Sequence, residues 1–120
     1  MKIRYVNVFV SDLRRAIDFY RDTLGLAMLH GDPDHGYAAF DAGAVKLGLA
    51  EVPAGEGDPL TGRHTGVGFG VDDLRAEHAR LAEAGVRFTA APERQPWGGF
   101  MALFADPDGN VFYLDELPPA

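Results

Sequence analysis

The groups in this chain that could do polar chemistry are few and dispersed. His30 and His35 flank Gly31-Asp32-Pro33-Asp34, a loop in which polar side chains are solvated. His64 opens a glycine-rich apolar run, and His78 lies inside a helical pattern. None of the four has a partner at a metal-ligand spacing such as i, i+4. Ser11 is the single serine, and it falls at a helix N-cap position, where its hydroxyl serves the first-turn amides. No triad can therefore be proposed, and with no cysteine present a cysteine nucleophile, thiolate metal clusters and disulfides are excluded.

The elements that must position these groups belong to a chain of 120 residues, 47% hydrophobic, which is enough for one globular unit with its own core. A formal charge of −7, with Arg14-Arg15 the only adjacent basic pair, argues against a nucleic-acid partner. It weakly favours cationic small molecules. Met1 to Val10 enters an alternating strand pattern directly, without the apolar core and cleavage site of a signal peptide. No apolar run approaches the ~20 residues of a membrane span. The expectation is a cytoplasmic protein with no membrane partner.

The chain repeats itself. Val10-Ser11-Asp12-Leu13-Arg14 recurs as Val71-Asp72-Asp73-Leu74-Arg75. Each copy is a short alternating strand, a Ser/Asp cap, a helix with apolar spacing (Leu13, Ile17, Tyr20, Leu24; Leu74, His78, Leu81) and a glycine stop at Gly25 or Gly85. After each helix the period drops toward two, over Leu26 to Leu29, Tyr37 to Asp41 and Ala44 to Ala50, then over Val86 to Thr89, Phe100 to Ala105 and Val111 to Leu114. This predicts an α+β fold of two βαβββ modules, 1–52 and 63–117, within a single domain 1–120, joined by a Pro/Gly-rich linker at 53–62. The modules should form a curved, cleft-bearing mixed sheet with helices on its outer face.

The duplication, the Asp-Leu helix openings, Phe19-Tyr20 followed by Leu24-Gly25, and the turn Asp106-Pro107-Asp108-Gly109-Asn110 together resemble the vicinal oxygen chelate superfamily. That group includes glyoxalase I, extradiol dioxygenases, fosfomycin-modifying enzymes and bleomycin-resistance proteins. The likeness covers nearly the whole chain. In metal-using members it implies four strand residues facing the sheet concavity, which fall here at Tyr5, Leu47, Gly66 and Tyr113. Leucine and glycine offer no donor, and a phenol must lose a proton of pKa about 10 to bind a metal well. The ligand set is therefore not retained, and neither a metal nor another cofactor is expected. His64, Glu51 and Asp115 share the parity of the lost ligands and define a possible displaced site.

The turn before the last strand has its own physical basis, since Pro107 presets φ, Gly109 or Asn110 takes a positive φ, and the aspartates accept backbone amides. It reads as a fold feature without chemistry.

On the first strand Ile3, Tyr5, Asn7 and Phe9 share one face, and Val6, Val8 and Val10 share the face that should meet the helix. Its repeat partner alternates Val67, Phe69 and Val71 with Gly66, Gly68 and Gly70. Those glycines either floor a cavity or accommodate sheet curvature or close contact between the modules. The expected ligand-binding set is Tyr5, Asn7, Phe9, Leu47, Gly66, Gly68, Trp97, Phe104 and Tyr113, with Trp97 carried by the loop Gln95-Pro96-Trp97-Gly98-Gly99.

Three functions fit. The first is a metal-free binding protein of the bleomycin-resistance type, holding an aromatic or cationic compound and acting in antibiotic resistance by sequestration. The second is a lyase, isomerase or dioxygenase-like enzyme, with a rebuilt metal site or none, in which Asn7, Tyr5 or Tyr113 polarises a carbonyl and Asp115 or Glu51 moves a proton. The third is an interaction module with a filled cleft. The resemblance also implies a homodimer. The first is preferred, because sequestration needs affinity alone.

Overall fold

The computed structural model of the chain describes residues 1–53 and 60–119. The chain divides into two units, Met1–Gly62 and Arg63–Ala120. Most of the expected linker, residues 54–59, lies outside the described residues.

In the first unit β1 (Tyr5–Val10) leads into α1 (Leu13–Ile17), then β2 (Met28–Asp32), β3 (Tyr37–Asp41) and β4 (Lys46–Glu51). The sheet order is β1-β4-β3-β2, with β1 parallel to β4 and the other pairs antiparallel. The second unit repeats this as β5 (His64–Val71), α2 (Leu74–Glu83), β6 (Arg87–Arg94), β7 (Phe100–Ala105) and β8 (Val111–Glu116), ordered β5-β8-β7-β6. Both βαβββ repeats, the two four-stranded mixed sheets and the α+β class agree with the sequence pattern.

The helices begin where the caps allow. Asp12 accepts the Arg15 amide at 3.1 Å, and Asp73 accepts the Ala76 amide at 3.1 Å, so the aspartates are the N-caps. Ser11, expected in that role, instead accepts from Arg15 Nη2 at 3.3 Å. The aspartate one position later has the longer reach to the first-turn amides. A second carboxylate reaches each helix start from the last strand of its unit: Glu51 Oε2 accepts the Leu13 amide at 2.7 Å, and Glu116 Oε2 accepts the Leu74 amide at 3.1 Å. Both helices end at a glycine in the left-handed region, Gly25 (φ 82°) and Gly85 (φ 92°), a backbone conformation that strains other residues. Past Ile17 the first helix widens into π-helical turns over Asp18–Thr23, with the Leu24 amide bonding back to the Phe19 carbonyl at 2.9 Å.

Each unit packs its helix on one sheet face. In the first, Val8, Val10, Leu47, Leu49, Ala38 and Phe40 bury against Leu13, Ile17 and Tyr20. In the second, Phe104 stacks on Phe112 at 5.5 Å and lies 6.0 Å from both Phe69 and Phe88, beneath Leu74 and Leu81. His78 meets the Phe88 ring edge-on at 4.5 Å, which explains an imidazole in mid-helix. β6 extends beyond the expected Val86 to Thr89 and runs through Pro92; as an edge strand it can lack that amide. Among the described residues no helix is long and apolar enough to cross a membrane.

The turn at Asp106 is held by its own side chains. Asp106 Oδ1 accepts the amides of Asp108 at 3.0 Å and Asn110 at 2.8 Å, and its Oδ2 accepts from Asn110 Nδ2 at 2.9 Å. Gly109 supplies the positive φ, 84°. Asn110 Oδ1 also accepts the Arg63 amide at 3.3 Å, tying the entry of β8 to the entry of β5. The turn is an anchor of the sheet.

Candidate functional site

In the second unit β8 pairs with β7 so that Tyr113 lies beside Leu103 and Asp115 beside Met101, while Phe112 lies beside Phe104. Paired residues share a face, so Tyr113, Asp115, Met101 and Leu103 occupy the side away from α2. At one end of this face a cleft of about 420 Å³ is lined by Trp97, Gly99, Phe100, Met101, Tyr113, Asp115 and Glu116. Its walls present the Trp97 and Tyr113 rings, the Met101 thioether and the Asp115 carboxylate, while Phe100 and Glu116 alternate with Met101 and Asp115 and turn their side chains to the α2 side.

Trp97 sits at the tip of the β6–β7 hairpin and is 72% exposed. The tip is closed by the Gln95 amide donating to the Gly99 carbonyl at 2.6 Å and the Gly98 amide donating to the Gln95 carbonyl at 2.9 Å. Gly98 takes φ 96°, the left-handed position such a three-residue connection needs. The indole folds back over Gly99, where an added Cβ would stand 2.8 Å from Nε1.

Tyr113 is half-buried, and its ring lies 4.9 Å from that of His64. His64 Nδ1 accepts the Gly66 amide at 3.1 Å. Gly66 sits in a bulge where β5 has two more residues than β8, with φ 74° and no atom within 4 Å of a built Cβ. Its glycine is demanded by backbone conformation. Gly68 and Gly70 have a different reason: Asp115 Oδ2 and Tyr113 Cβ lie 3.3 and 3.5 Å from a Cβ at Gly68, and Leu117 lies across Gly70. The glycine face therefore makes room for side chains of β8 and the residue after it.

In the first unit Tyr5 (52% exposed), Asn7 and Phe9 lie on the sheet face away from the helix. Asn7 pairs with Gly48, and the Tyr37 hydroxyl donates to Asn7 Oδ1 at 3.4 Å directly above that glycine. Gly48 is buried beneath the two side chains. Farther along the same unit, the His35 Nδ1 contact to Asp32 at 2.8 Å holds the Asp32 carboxyl below its ordinary range, against an opposing desolvation effect.

Two expected site residues stand elsewhere. Leu47 pairs with Val6, not with Tyr5, and is 2% exposed on the helix-facing side. Phe104 pairs with Phe112 and is 1% exposed in the aromatic core, on the opposite face from Tyr113. Of the expected set, the structure brings Trp97 and Tyr113 into one cleft, with Gly68 beneath Tyr113. Met101 was missed, as was Tyr37. The signal for Met101 was its place one step from Phe100 in a strand that reads apolar on both faces.

The donor set at Tyr5, Leu47, Gly66 and Tyr113 does not suit a divalent ion: it offers two phenols, an alkyl chain and a bulged glycine. The three candidate replacement donors each have other employment. Glu51 caps α1, His64 holds the β5 bulge, and Asp115 lies over Gly68. Among the described residues no three of His, Asp and Glu stand together as a metal ion would require.

A family model described as Glyoxalase/Bleomycin resistance protein/Dioxygenase superfamily matches residues 2–114. The uncharacterized protein YraH of Bacillus subtilis (strain 168) is 31% identical over 98% of this chain and 99% of its own length. Two crystal structures are similar throughout. TnmS3, an antibiotic binding protein from Streptomyces sp. CB03234, superposes with a TM-score of 0.80 at 33% identity, covering 98% of this chain and 97% of that one. A member of the glyoxalase/bleomycin resistance protein/dioxygenase superfamily from Sphaerobacter thermophilus superposes with a TM-score of 0.79 at 31% identity, covering 98% of both chains.

Proposed function

The chain belongs to the Glyoxalase/Bleomycin resistance protein/Dioxygenase superfamily, and from that membership we propose that it is a metal-free binding protein that holds an aromatic, cationic small molecule in the cleft of its second unit. The observation that carries this reading is the indole of Trp97, exposed at a hairpin tip and facing a cleft shared with Tyr113 and Met101. A solvent-facing indole at a concave site is a stacking surface for a flat ligand. Asp115 adds negative charge without a basic lining residue, which favours a cation. Tyr113 and Asp115 belong to one strand face, so ring and charge contacts are set by a single rigid element.

TnmS3, an antibiotic binding protein, is a third identical to this chain over nearly all of its length, and an antibiotic is a ligand of the right class here. A role in resistance by sequestration, a cytoplasmic location and a homodimeric state belong to the same reading.

Trp97 is the only tryptophan, so its fluorescence reports on the cleft. Titration with ethidium, a planar aromatic cation, is expected to quench that emission saturably, with 1,8-ANS, an aromatic anion, binding more weakly because of the Asp115 carboxylate. Tyr113→Ala is expected to weaken ethidium, followed by its own emission, by about tenfold or more, the loss of one aromatic contact. Failure of both dyes to bind would overturn the reading. Stoichiometric, tight uptake of Ni²⁺, Zn²⁺, Mn²⁺ or Fe²⁺ in calorimetry would overturn its metal-free part.

A further inference from the structure

We propose that Arg94 is a positioning residue that fixes the indole of Trp97 over the cleft. Its effect on affinity rests on the binding role given above; its effect on the indole does not, and is readable without any ligand.

Arg94 closes β6 opposite Phe100, its ladder partner on β7. Its side chain is held at two points. Nη1 donates to the Gly98 carbonyl at 3.0 Å, and the guanidinium carbon lies 4.8 Å from the centre of the Phe100 ring. The first contact grips the loop that carries Trp97, and the second grips the strand that carries the cleft wall. Phe100 is itself immobile, being buried and approached at the same 4.8 Å by Arg75 from α2. The planar guanidinium therefore staples a hairpin tip to a fixed ring, which a lysine could not do by both stacking and directed donation.

The need for such a staple follows from exposure. Trp97 has little burial to hold it, and its seat is the bare backbone of Gly99. Left to itself, a side chain at a hairpin tip samples several rotamers and must be immobilised when a ligand stacks on it. Immobilising it beforehand lowers that entropic cost, by about three- to tenfold in affinity for one large side chain. Gly98, Gly99 and Arg94 then form one device: the left-handed glycine presents its carbonyl to Arg94, the next glycine gives the indole a flat seat, and the arginine locks the pair.

The test compares the wild type with Arg94→Ala, Arg94→Lys and Gly99→Ala, using the sole tryptophan. Arg94→Ala is expected to reduce the near-ultraviolet circular dichroism and fluorescence anisotropy of Trp97 and to weaken ethidium about three- to tenfold, while the far-ultraviolet spectrum is unchanged. Arg94→Lys should recover only part of each signal, and Gly99→Ala should move the indole signals with Arg94 intact. Wild-type dichroism and anisotropy in folded Arg94→Ala would overturn the proposal, whatever the ligand result. So would restored indole signals with an unchanged ethidium affinity in every variant. If the wild type binds no ethidium, the binding role fails and the two apo signals still decide the role of Arg94. Should Arg94→Ala not fold, Arg94→Gln, which keeps a donor and loses the stacked cation, carries the same comparison.

Discussion

Glu51 Oε2 accepts the Leu13 amide at 2.7 Å, so a carboxylate from the last strand of the first unit closes the start of its helix. Glu116 and Leu74 reproduce the link at 3.1 Å in the second unit. In each case the helix and the strand that pairs with the unit's first strand are joined by one charge-assisted bond. This explains why an acid stands at the end of β4 and of β8, and it takes Glu51 out of any metal-binding role.

Replacing Glu51 or Glu116 by alanine removes that bond and a favourable charge at a helix N-terminus. Each is expected to cost about 1–2 kcal/mol of unfolding free energy, with the glutamine variants closer to wild type because an amide oxygen still accepts. Urea denaturation of the four single variants measures this. A loss of less than about 0.3 kcal/mol in both alanine variants would contradict the capping role.

Phe104→Ala separates core from cleft. With Phe69, Phe88 and Phe112 around it, the truncation is expected to cost about 3–5 kcal/mol, while ethidium affinity of the folded fraction stays within about twofold of wild type. Phe104→Leu, a milder change, allows the dye titration if the alanine variant is too unstable. A specific loss of affinity at full stability would return Phe104 to the binding set.

Two glycines should respond differently to alanine. At Gly48 a methyl would collide with Asn7 Oδ1 and with the Tyr37 hydroxyl group, both ordered against each other, and a cost of about 1–3 kcal/mol is expected. At Gly70 the collision is with the end of Leu117, an exposed side chain that can swing aside, and the cost should stay under about 0.5 kcal/mol. Thermal denaturation of the pair gives the ranking, and equal shifts would contradict it.

The Asp32–His35 contact predicts a pH-dependent term. Because the folded-state carboxyl of Asp32 is held below its ordinary range, chiefly by the His35 hydrogen bond, its contribution is present above the unfolded carboxylate pKa and is lost as pH falls through the lower folded value. Asp32→Asn should therefore melt slightly lower than wild type at pH 6 and converge with it as the pH falls below the ordinary carboxylate range. The group is exposed, so the difference is small and best read at low ionic strength. A difference that widened on acidification would have the wrong sign.

The repeat, the eight strands and the two helices were legible because caps, glycine stops and period changes recur in order. Within a strand the faces were also legible: Val8 and Val10 of β1 bury and Tyr5 and Asn7 do not. What sequence did not show is which face of one strand lies beside which face of another. Leu47 was assigned to the side of Tyr5, yet the parallel register sets it against Val6. That register is fixed by tertiary packing of Leu47 and Leu49 under α1, and nothing local to β1 announces it. Phe104 failed for a related reason, since Phe100-Met101-Ala102-Leu103-Phe104-Ala105 is apolar on both faces and carries no alternation to read. The loop that carries Trp97 was legible because Pro96, Gly98 and Gly99 mark its turn locally.

Within the sheet of the second unit, among the described residues, β5 pairs with β8 alone, the last strand made, and Asn110 secures the Arg63 backbone at the mouth of that pairing. During synthesis the glycine-rich strand thus leaves the ribosome long before its single hydrogen-bonding partner exists. Its backbone must stay unpaired through the making of α2, β6 and β7. The alternating glycines give that waiting strand little side-chain bulk to specify its register, so the same residues that make room for Tyr113 and Leu117 in the finished sheet leave the pairing to be set by what β8 brings, including the Asn110 tie to Arg63.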